Sequence, residues 1–453
     1  MTRARSWTMV GALLALLAVG AVGGTAAGTR AKPKTVRISV KANGSEVPAS
    51  QSEYPAISAN GRFIAFESTG RLLRKDKDGE HDIYLYDRRA KRNRLVSITS
   101  DGKAGQDLEG ESADISPNGR WICFVSESAF VNGDTNAIGD VYRHDRRTGK
   151  TIRVSVMGDG SQLTGINDES YICGVADNGL VAWESGGAFV NDDTNGDPDI
   201  FVRNTAAKTT RRASLDYQDN QLAGGGEAGK ATKVAISGNG KFVVFSSSDV
   251  ATADPDSAFG LGTDSDVFVR NISNGTTTRA SLRSNGEEPV ADGENANSRV
   301  PSISADGRYV AFISDAPFGA ADGNLAFDIY VKDRQRGRVL AGSVKSNEDF
   351  IAAPGNNWFE ISPDGRYVAW DAFGNYGGVA DPGNFRDVYR RDLDRGRTKL
   401  ISLKTNGEHA GFDSQLPDVP NDGRFIPFQS MEQVTPKPDD GSDWDVFLRG
   451  PVR

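Results

Sequence analysis

One phrase recurs along the chain and constrains its fold more than any other feature. It is clearest as "PSISADGRYVAFIS" at 301–314 and returns as "PAISANGRFIAFES" (55–68), "ADISPNGRWICFVS" (113–126) and "KVAISGNGKFVVFSS" (233–247). Further copies are "FEISPDGRYVAWD" (359–371), "PDVPNDGRFIPFQS" (417–430) and a weaker "CGVADNGLVAWES" (173–185). The turn glycines are Gly61, Gly119, Gly179, Gly240, Gly307, Gly365 and Gly423, at successive intervals of 58, 60, 61, 67, 58 and 58 residues. A fixed period of this kind marks a repeat architecture, in which each unit buries its apolar face only against its neighbours.

Each unit can be read locally. Two alternating apolar segments are joined by an Asn-Gly or Asp-Gly turn, which needs positive φ, so the phrase is a β-hairpin. Further on comes a third strand that opens with Asp: "DIYLYD", "DVYRHD", "DIFVRN", "DVFVRN", "DIYVKD", "DVYRRD" and "DVFLRG". A fourth ends in a small or apolar residue followed by Ser: Val96-Ser97, Val154-Ser155, Ala213-Ser214, Ala280-Ser281, Gly342-Ser343 and Ile401-Ser402. Four antiparallel strands per unit, with no helical periodicity after the N-terminal segment, describe the blade of a β-propeller. The chain stops after the seventh third strand, so one fourth strand is missing. "TVRISVKANGSE" (35–46) matches "TIRVSVMGDGSQ" (151–162) almost position by position. The expected fold is therefore all-β: a seven-bladed β-propeller of four-stranded blades. Residues 35–40 complete the last blade and close the ring, which removes the two open sheet edges.

These motifs resemble the TolB-like, WD40-like (PD40) propeller repeats of exported bacterial proteins, over essentially all of 35–449. The resemblance implies a propeller working outside the cytoplasm. It departs from TolB itself, which is similar to a six-bladed propeller behind an N-terminal α/β domain, so TolB's role in the cell envelope is not carried over. Prolyl-oligopeptidase-type enzymes add a hydrolase domain to such propellers. No G-x-S-x-G elbow occurs here, and every long segment already belongs to a blade.

The first residues read as an export signal. Arg3 and Arg5 precede the apolar run "MVGALLALLAVGAV" and the small residues "GGTAAG". The expected division is a signal peptide at 1–27 and a single propeller domain at 28–453. The competing reading, a membrane anchor, meets an apolar run that is short for a bilayer span. The mature protein is expected to be secreted or periplasmic, monomeric and not inserted in a membrane. The formal net charge of −8 argues against nucleic acid as a partner. An oxidising compartment would let Cys123 and Cys173 pair, although both stand in apolar runs that suit buried thiols equally well.

Strand order divides the loops between the two faces of the disc. The turns joining strands one to two and three to four are short and carry Arg62, Arg120, Lys241, Arg308, Arg366 and Arg424 directly after the glycines. The other connections are long, Gly-rich and acidic, so the disc is expected to be electrically polar, with binding on the long-loop face. Two acidic loops have oxygen side chains at alternate positions: Asp76, Asp78, Glu80 and Asp82, then Asp193, Asn195, Asp197 and Asp199. Hard cations need several oxygen ligands, so these eight residues are the candidate Ca2+ ligands. The competing reading is turn chemistry, since Asp and Asn side chains bond nearby backbone amides. No nucleophile-base motif appears. His81 and His144, beside or within third strands, read as solvent-facing. The expected function is a non-catalytic module that binds or scaffolds a protein, peptide or glycan, with calcium stiffening its loops. The alternative is an exported polysaccharide hydrolase or lyase with carboxylates on the long-loop face.

Overall fold

Every turn glycine of the repeat lies at positive φ, from +56° at Gly423 to +80° at Gly179. That left-handed region is open to glycine without a steric cost. A Cβ at Gly119 would also stand 2.7 Å from the Phe63 ring, and one at Gly423 2.8 Å from the Tyr367 ring. The aromatic residue that starts one blade's second strand thus lies against the next blade's turn. Glycine is required twice over, by the backbone and by the neighbour.

The computed structural model describes residues 32–77, 79–103, 113–165, 168–223, 234–248, 265–289, 297–319, 322–324, 326–351, 358–377, 383–431 and 443–452. The expected signal peptide lies outside the described residues. Residues 33–453 form one compact unit of seven four-stranded antiparallel sheets, with no helix among the described residues. The first blade pairs Ser52–Ile57, Phe63–Ser68, Asp82–Asp87 and Arg92–Leu95 in sequence order. In the last blade, Ser414–Gln415, Ile426–Ser430 and Asp445–Gly450 are joined by Lys34–Arg37. The register runs from Lys34 opposite Gly450 to Arg37 opposite Phe447, and the Ile38 N–H donates to the Val446 carbonyl at 2.9 Å. The missing strand is where the sequence match placed it.

Apolar side chains fill the space between blades. One cluster joins Cys123, Val125 and Val141 of the second blade to Cys173, Val175 and Trp183 of the third. Within it Cys123 and Cys173 form a disulfide across the seam, with Cα atoms 6.3 Å apart. The seams are also strapped at the outer rim. After its fourth strand the chain makes a tight turn against the fourth strand of the following blade. Thr151, Thr210 and Thr277 donate hydroxyls to the carbonyls of Ile98, Val156 and Leu215 at 2.6, 2.6 and 2.8 Å. Thr35 does the same to Leu403 across the closing seam, at 2.5 Å.

The short-turn face is less basic than its composition suggests. Arg62 donates Nε and Nη2 to the two Asp87 oxygens at 3.0 and 2.8 Å. Arg120, Arg308 and Arg366 form the same forks with Asp145, Asp333 and Asp392. Where the third strand ends instead in Asn204 or Asn271, the residue after the turn glycine is Leu180 or Lys241. In these four blades the charge is neutralised where it stands, whereas the seventh keeps Arg424 although its third strand ends in Gly450.

Candidate functional site

The aspartate that opens each third strand has a task inside its own blade. In all seven blades the serine after the fourth strand donates its hydroxyl to that carboxylate. The pairs are Ser39 with Asp445 (2.6 Å), Ser97 with Asp82, Ser155 with Asp140 and Ser214 with Asp199. Ser281 with Asp266 (2.8 Å), Ser343 with Asp328 (2.8 Å) and Ser402 with Asp387 (2.6 Å) complete the set. The same serine oxygen accepts the next backbone N–H of the third strand, at 2.8 Å from Ile329 and 3.0 Å from Val388. The recurring Ser and Asp are two halves of one clasp, and the candidate ligands Asp82 and Asp199 belong to it.

A second carboxylate stands six residues upstream in six blades: Asp76, Asp134, Asp193, Asp322, Asp381 and Asp439, the last two outside the described residues. Tyr84, Tyr142 and Tyr330 donate their hydroxyls to Asp76, Asp134 and Asp322. In the second blade Arg153 lies between the two carboxylates, 3.3 Å from Asp134 Oδ1 and 3.3 Å from Asp140 Oδ2. In the third, Arg212 is 3.4 Å from Asp193 Oδ1 and 3.5 Å from Asp199 Oδ2. Asn195 gives its amide to the Leu222 carbonyl at 2.9 Å, and its Oδ1 accepts the Asp197 N–H at 3.1 Å. The third-blade set therefore holds a guanidinium already, and a calcium ion between Asp193 and Asp199 would have to displace it. In the first blade Asp76 and Asp82 are buried, Glu80 is exposed, and Asp78 lies outside the described residues. Among the described residues no group of three or more His, Cys, Asp or Glu side chains converges as a metal cage. Burial pushes Asp140 and Asp199 up to about 6 even beside their arginines, and Asp328 up to about 7. Sequence reading missed these arginines, although the signal was present: Arg37, Arg153, Arg212 and Arg279 each stand two residues before a clasp serine.

The first strands line a central channel. Its carboxylates bridge neighbouring blades: Asp418 accepts the Ile57 N–H at 2.7 Å, Asp114 the Val175 N–H at 2.9 Å and Glu360 the Ser302 hydroxyl at 2.7 Å. About 90 Å³ of this channel is open to the centre of a water-sized sphere, room for several waters. Toward the long-loop face, Asp371 is fully buried, accepts the Leu416 N–H at 3.0 Å and is pushed up to about 7 by burial. His81 shares its Nδ1 with Glu67, and that hydrogen bond raises it above the usual histidine range. His144 corrects the solvent-facing reading. It is buried, its Nδ1 is 3.0 Å from the Thr151 hydroxyl, and burial lowers it to about 4.

The exposed apolar side chains are unevenly spread. Tyr171, 43 % exposed, stands at the long-loop end of the third blade's first strand, and Phe412, 50 % exposed, stacks on Phe385 in a long-loop connection. Tyr217 and Val36 lie on the outer rim. No large apolar side chain among the described residues is exposed to this degree on the short-turn face.

No protein-family model and no curated protein matches the chain. Solved structures do. An oligogalacturonate lyase from Vibrio parahaemolyticus is similar over 92 % of this chain and 96 % of its own, at 10 % identity and a TM-score of 0.51. TolB from Acinetobacter baumannii matches over 88 % of this chain and 80 % of its own, at 14 % identity and a TM-score of 0.39. The acylaminoacyl peptidase of Pyrococcus horikoshii matches over 90 % of this chain and 53 % of its own, at 12 % identity and a TM-score of 0.47. At such identities the likeness concerns architecture alone. Sheet topology and ring closure agree with it: the chain is a β-propeller of seven four-stranded blades.

Proposed function

We propose that the chain is an exported, non-catalytic propeller that binds or scaffolds a protein, peptide or glycan on its long-loop face. The observation that carries this reading is the placement of Tyr171 and Phe412, which are exposed on that face alone. Aromatic side chains supply large contact area at small entropic cost and concentrate at interfaces. A second observation supports it. The channel carboxylates Asp114, Glu360 and Asp418 and the aspartates that open the third strands all accept structural hydrogen bonds. Acid-base work on a sugar needs two carboxylates set across the scissile bond, and these groups are engaged in holding the blades. The arginines that would give the opposite face a basic surface are largely paired, which leaves that face less to offer a ligand.

The test uses the purified protein immobilised and exposed to extract of the source cell's envelope and medium. Capture of a discrete partner is expected from the parent protein and from Arg147→Ser on the short-turn face, and its loss from Tyr171→Ser with Phe412→Ser. Equal capture by all three would refute the assignment of the face. Release of unsaturated or reducing ends from polygalacturonate by the purified protein would overturn the non-catalytic reading.

A further inference from the structure

The turn and fourth strand of the first blade read "RRAKRNR" at 88–94, five basic residues in seven with no acid. Among the blades whose third and fourth strands are continuous, none matches it. The corresponding seven residues hold three basic side chains in "RRTGKTI" (146–152) and in "RQRGRVL" (334–340), and three with an aspartate in "LDRGRTK" (393–399). They hold two in "TAAKTTR" (205–211) and none in "ISNGTTT" (272–278). A basic run of this density on a folded surface draws polyanions.

The fold leaves these charges uncompensated. Arg89, Lys91, Arg92 and Arg94 are exposed, and none of the four is paired with a carboxylate among the described residues. Asp87, at the head of the turn, is already held by the Arg62 fork. In the fifth and sixth blades the turn cations reach back to the equivalent aspartate: Arg338 is 3.5 Å from Asp333 and Arg395 3.9 Å from Asp392. The neighbouring blades add to the patch. Arg62 and Arg146 both stack on the Phe63 ring, 4.6 and 3.9 Å from its centroid, and Arg88 covers Phe425 at 3.8 Å. Burial, and then the charges of Arg62, Arg147 and Arg94 against that of Asp87, hold Arg146 below the usual arginine range, so cations of two blades converge on one seam. Stacking and carbonyl contacts fix these guanidinium planes in advance, which lowers the entropy lost on meeting a ligand.

Shape and chemistry narrow the ligand. The turn lies on the short-turn face and the fourth strand on the outer rim, so the cations run round a corner of the disc. Arg92 and Arg94 project from one side of the strand, about 7 Å apart. A flat bilayer would meet only part of such an arc. Single-stranded nucleic acid needs free aromatic faces for its bases, and Phe63 is buried beneath its guanidiniums. A flexible chain of carboxylates or sulfates needs neither a plane nor a ring. We propose that the outer edge of the first blade binds a linear acidic polysaccharide, its carboxylate or sulfate groups held by Arg89, Arg92 and Arg94 with Arg147 across the seam. This surface is separate from the long-loop face, and either can fail without the other.

Heparin, which carries both groups, is the probe. The purified full chain should bind a labelled heparin oligosaccharide, with affinity falling by roughly tenfold to a hundredfold between about 50 and 200 mM NaCl as counterions are no longer released to advantage. Uncharged dextran of the same length should not bind. Arg92→Ser with Arg94→Ser should weaken heparin binding by about tenfold and flatten its salt dependence. Both side chains are exposed and unpaired, so the thermal midpoint should stay at the parent's value. Arg397→Ser with Lys399→Ser, the same positions in the sixth blade, should bind heparin as the parent does, and so should Tyr171→Ser with Phe412→Ser. The proposal is overturned if the parent does not bind heparin, or if the first-blade and sixth-blade pairs weaken binding equally. Binding of oligothymidylate, or of phosphatidylcholine vesicles containing phosphatidylglycerol, as tight as that of heparin would overturn the assignment to a polysaccharide.

Discussion

The two faces of the disc are built from the same seven repeats and are not equally free to change. On the short-turn face, a glycine at positive φ, the aromatic ring of the preceding blade and an arginine held by an aspartate recur from blade to blade. Arg88, Arg146 and Arg334 fix the turns further, donating to the carbonyls of Gly61, Gly119 and Gly307 at 2.6, 2.7 and 2.6 Å. On the long-loop face only the Ser-Asp clasp is constant. What lies beside it is Arg212 in the third blade, Asn324 in the fifth and His409 in the sixth. Where the repeats agree, their residues hold the ring together. Where they differ, the scaffold has left room for function.

The sharpest test of that contrast sets two glycines against each other. Gly119→Ala meets both a left-handed backbone and the Phe63 ring, so we expect a loss of about 2–4 kcal/mol in urea unfolding. Gly196→Ala, at φ +76° with nothing within 4 Å of the new Cβ, should lose only about 1–2 kcal/mol. Equal losses would erase the distinction between the faces. The clasp should come next. Ser343→Ala strips a donor from Asp328 and an acceptor from the Ile329 N–H, for about 2 kcal/mol, whereas the exposed Ser161→Ala should stay within about 0.5 kcal/mol.

The remaining tests read pH dependence, and its sign is opposite for the two groups concerned. Asp371 titrates at about 7 when folded and at about 3.9 when unfolded, so the folded chain binds the extra proton and stability falls as pH rises through that window. Asp371→Asn should flatten this slope. On the short-turn face the hydrogen bond from Arg62, against the opposing effect of burial, holds Asp87 down to about 2. Its contribution is present above about pH 4 and is lost as pH falls toward 2, so Asp87→Asn should blunt the acid limb of a stability curve.

The architecture was legible in the sequence because its signals are local and repeated. An Asn-Gly turn specifies a hairpin wherever it stands, and one unmatched strand at each end of the repeat array leaves closure as the remaining solution. The side-chain partnerships were harder to read. Asp199 in "DTNGDPD" carries the spacing of a cation ligand, and only the fold brings Arg212, thirteen residues later, to lie against it. His144 sits in an alternating strand whose outer side looks solvent-facing, yet the strap from the preceding blade covers it. Both depend on where a neighbouring strand arrives, which no short window of sequence contains. The Arg-Asp forks were within reach, since Arg62 goes with Asp87 and Leu180 with Asn204, with the seventh repeat, Arg424 with Gly450, as the exception.

The closing seam joins Arg449 to Thr35 across 414 positions of sequence, yet it uses the same clasp and the same strap as the other seams. Geometrically, then, the ring has no first blade. Cutting the chain at the outer connection of another blade and joining Lys34 to Gly450 through a short linker would give a polygon with the same sides, laid down in a different order. In the natural order the last side can be finished only when both ends of the array are present. The chain's starting point therefore sets the moment at which the molecule becomes a closed surface, while leaving its shape unchanged.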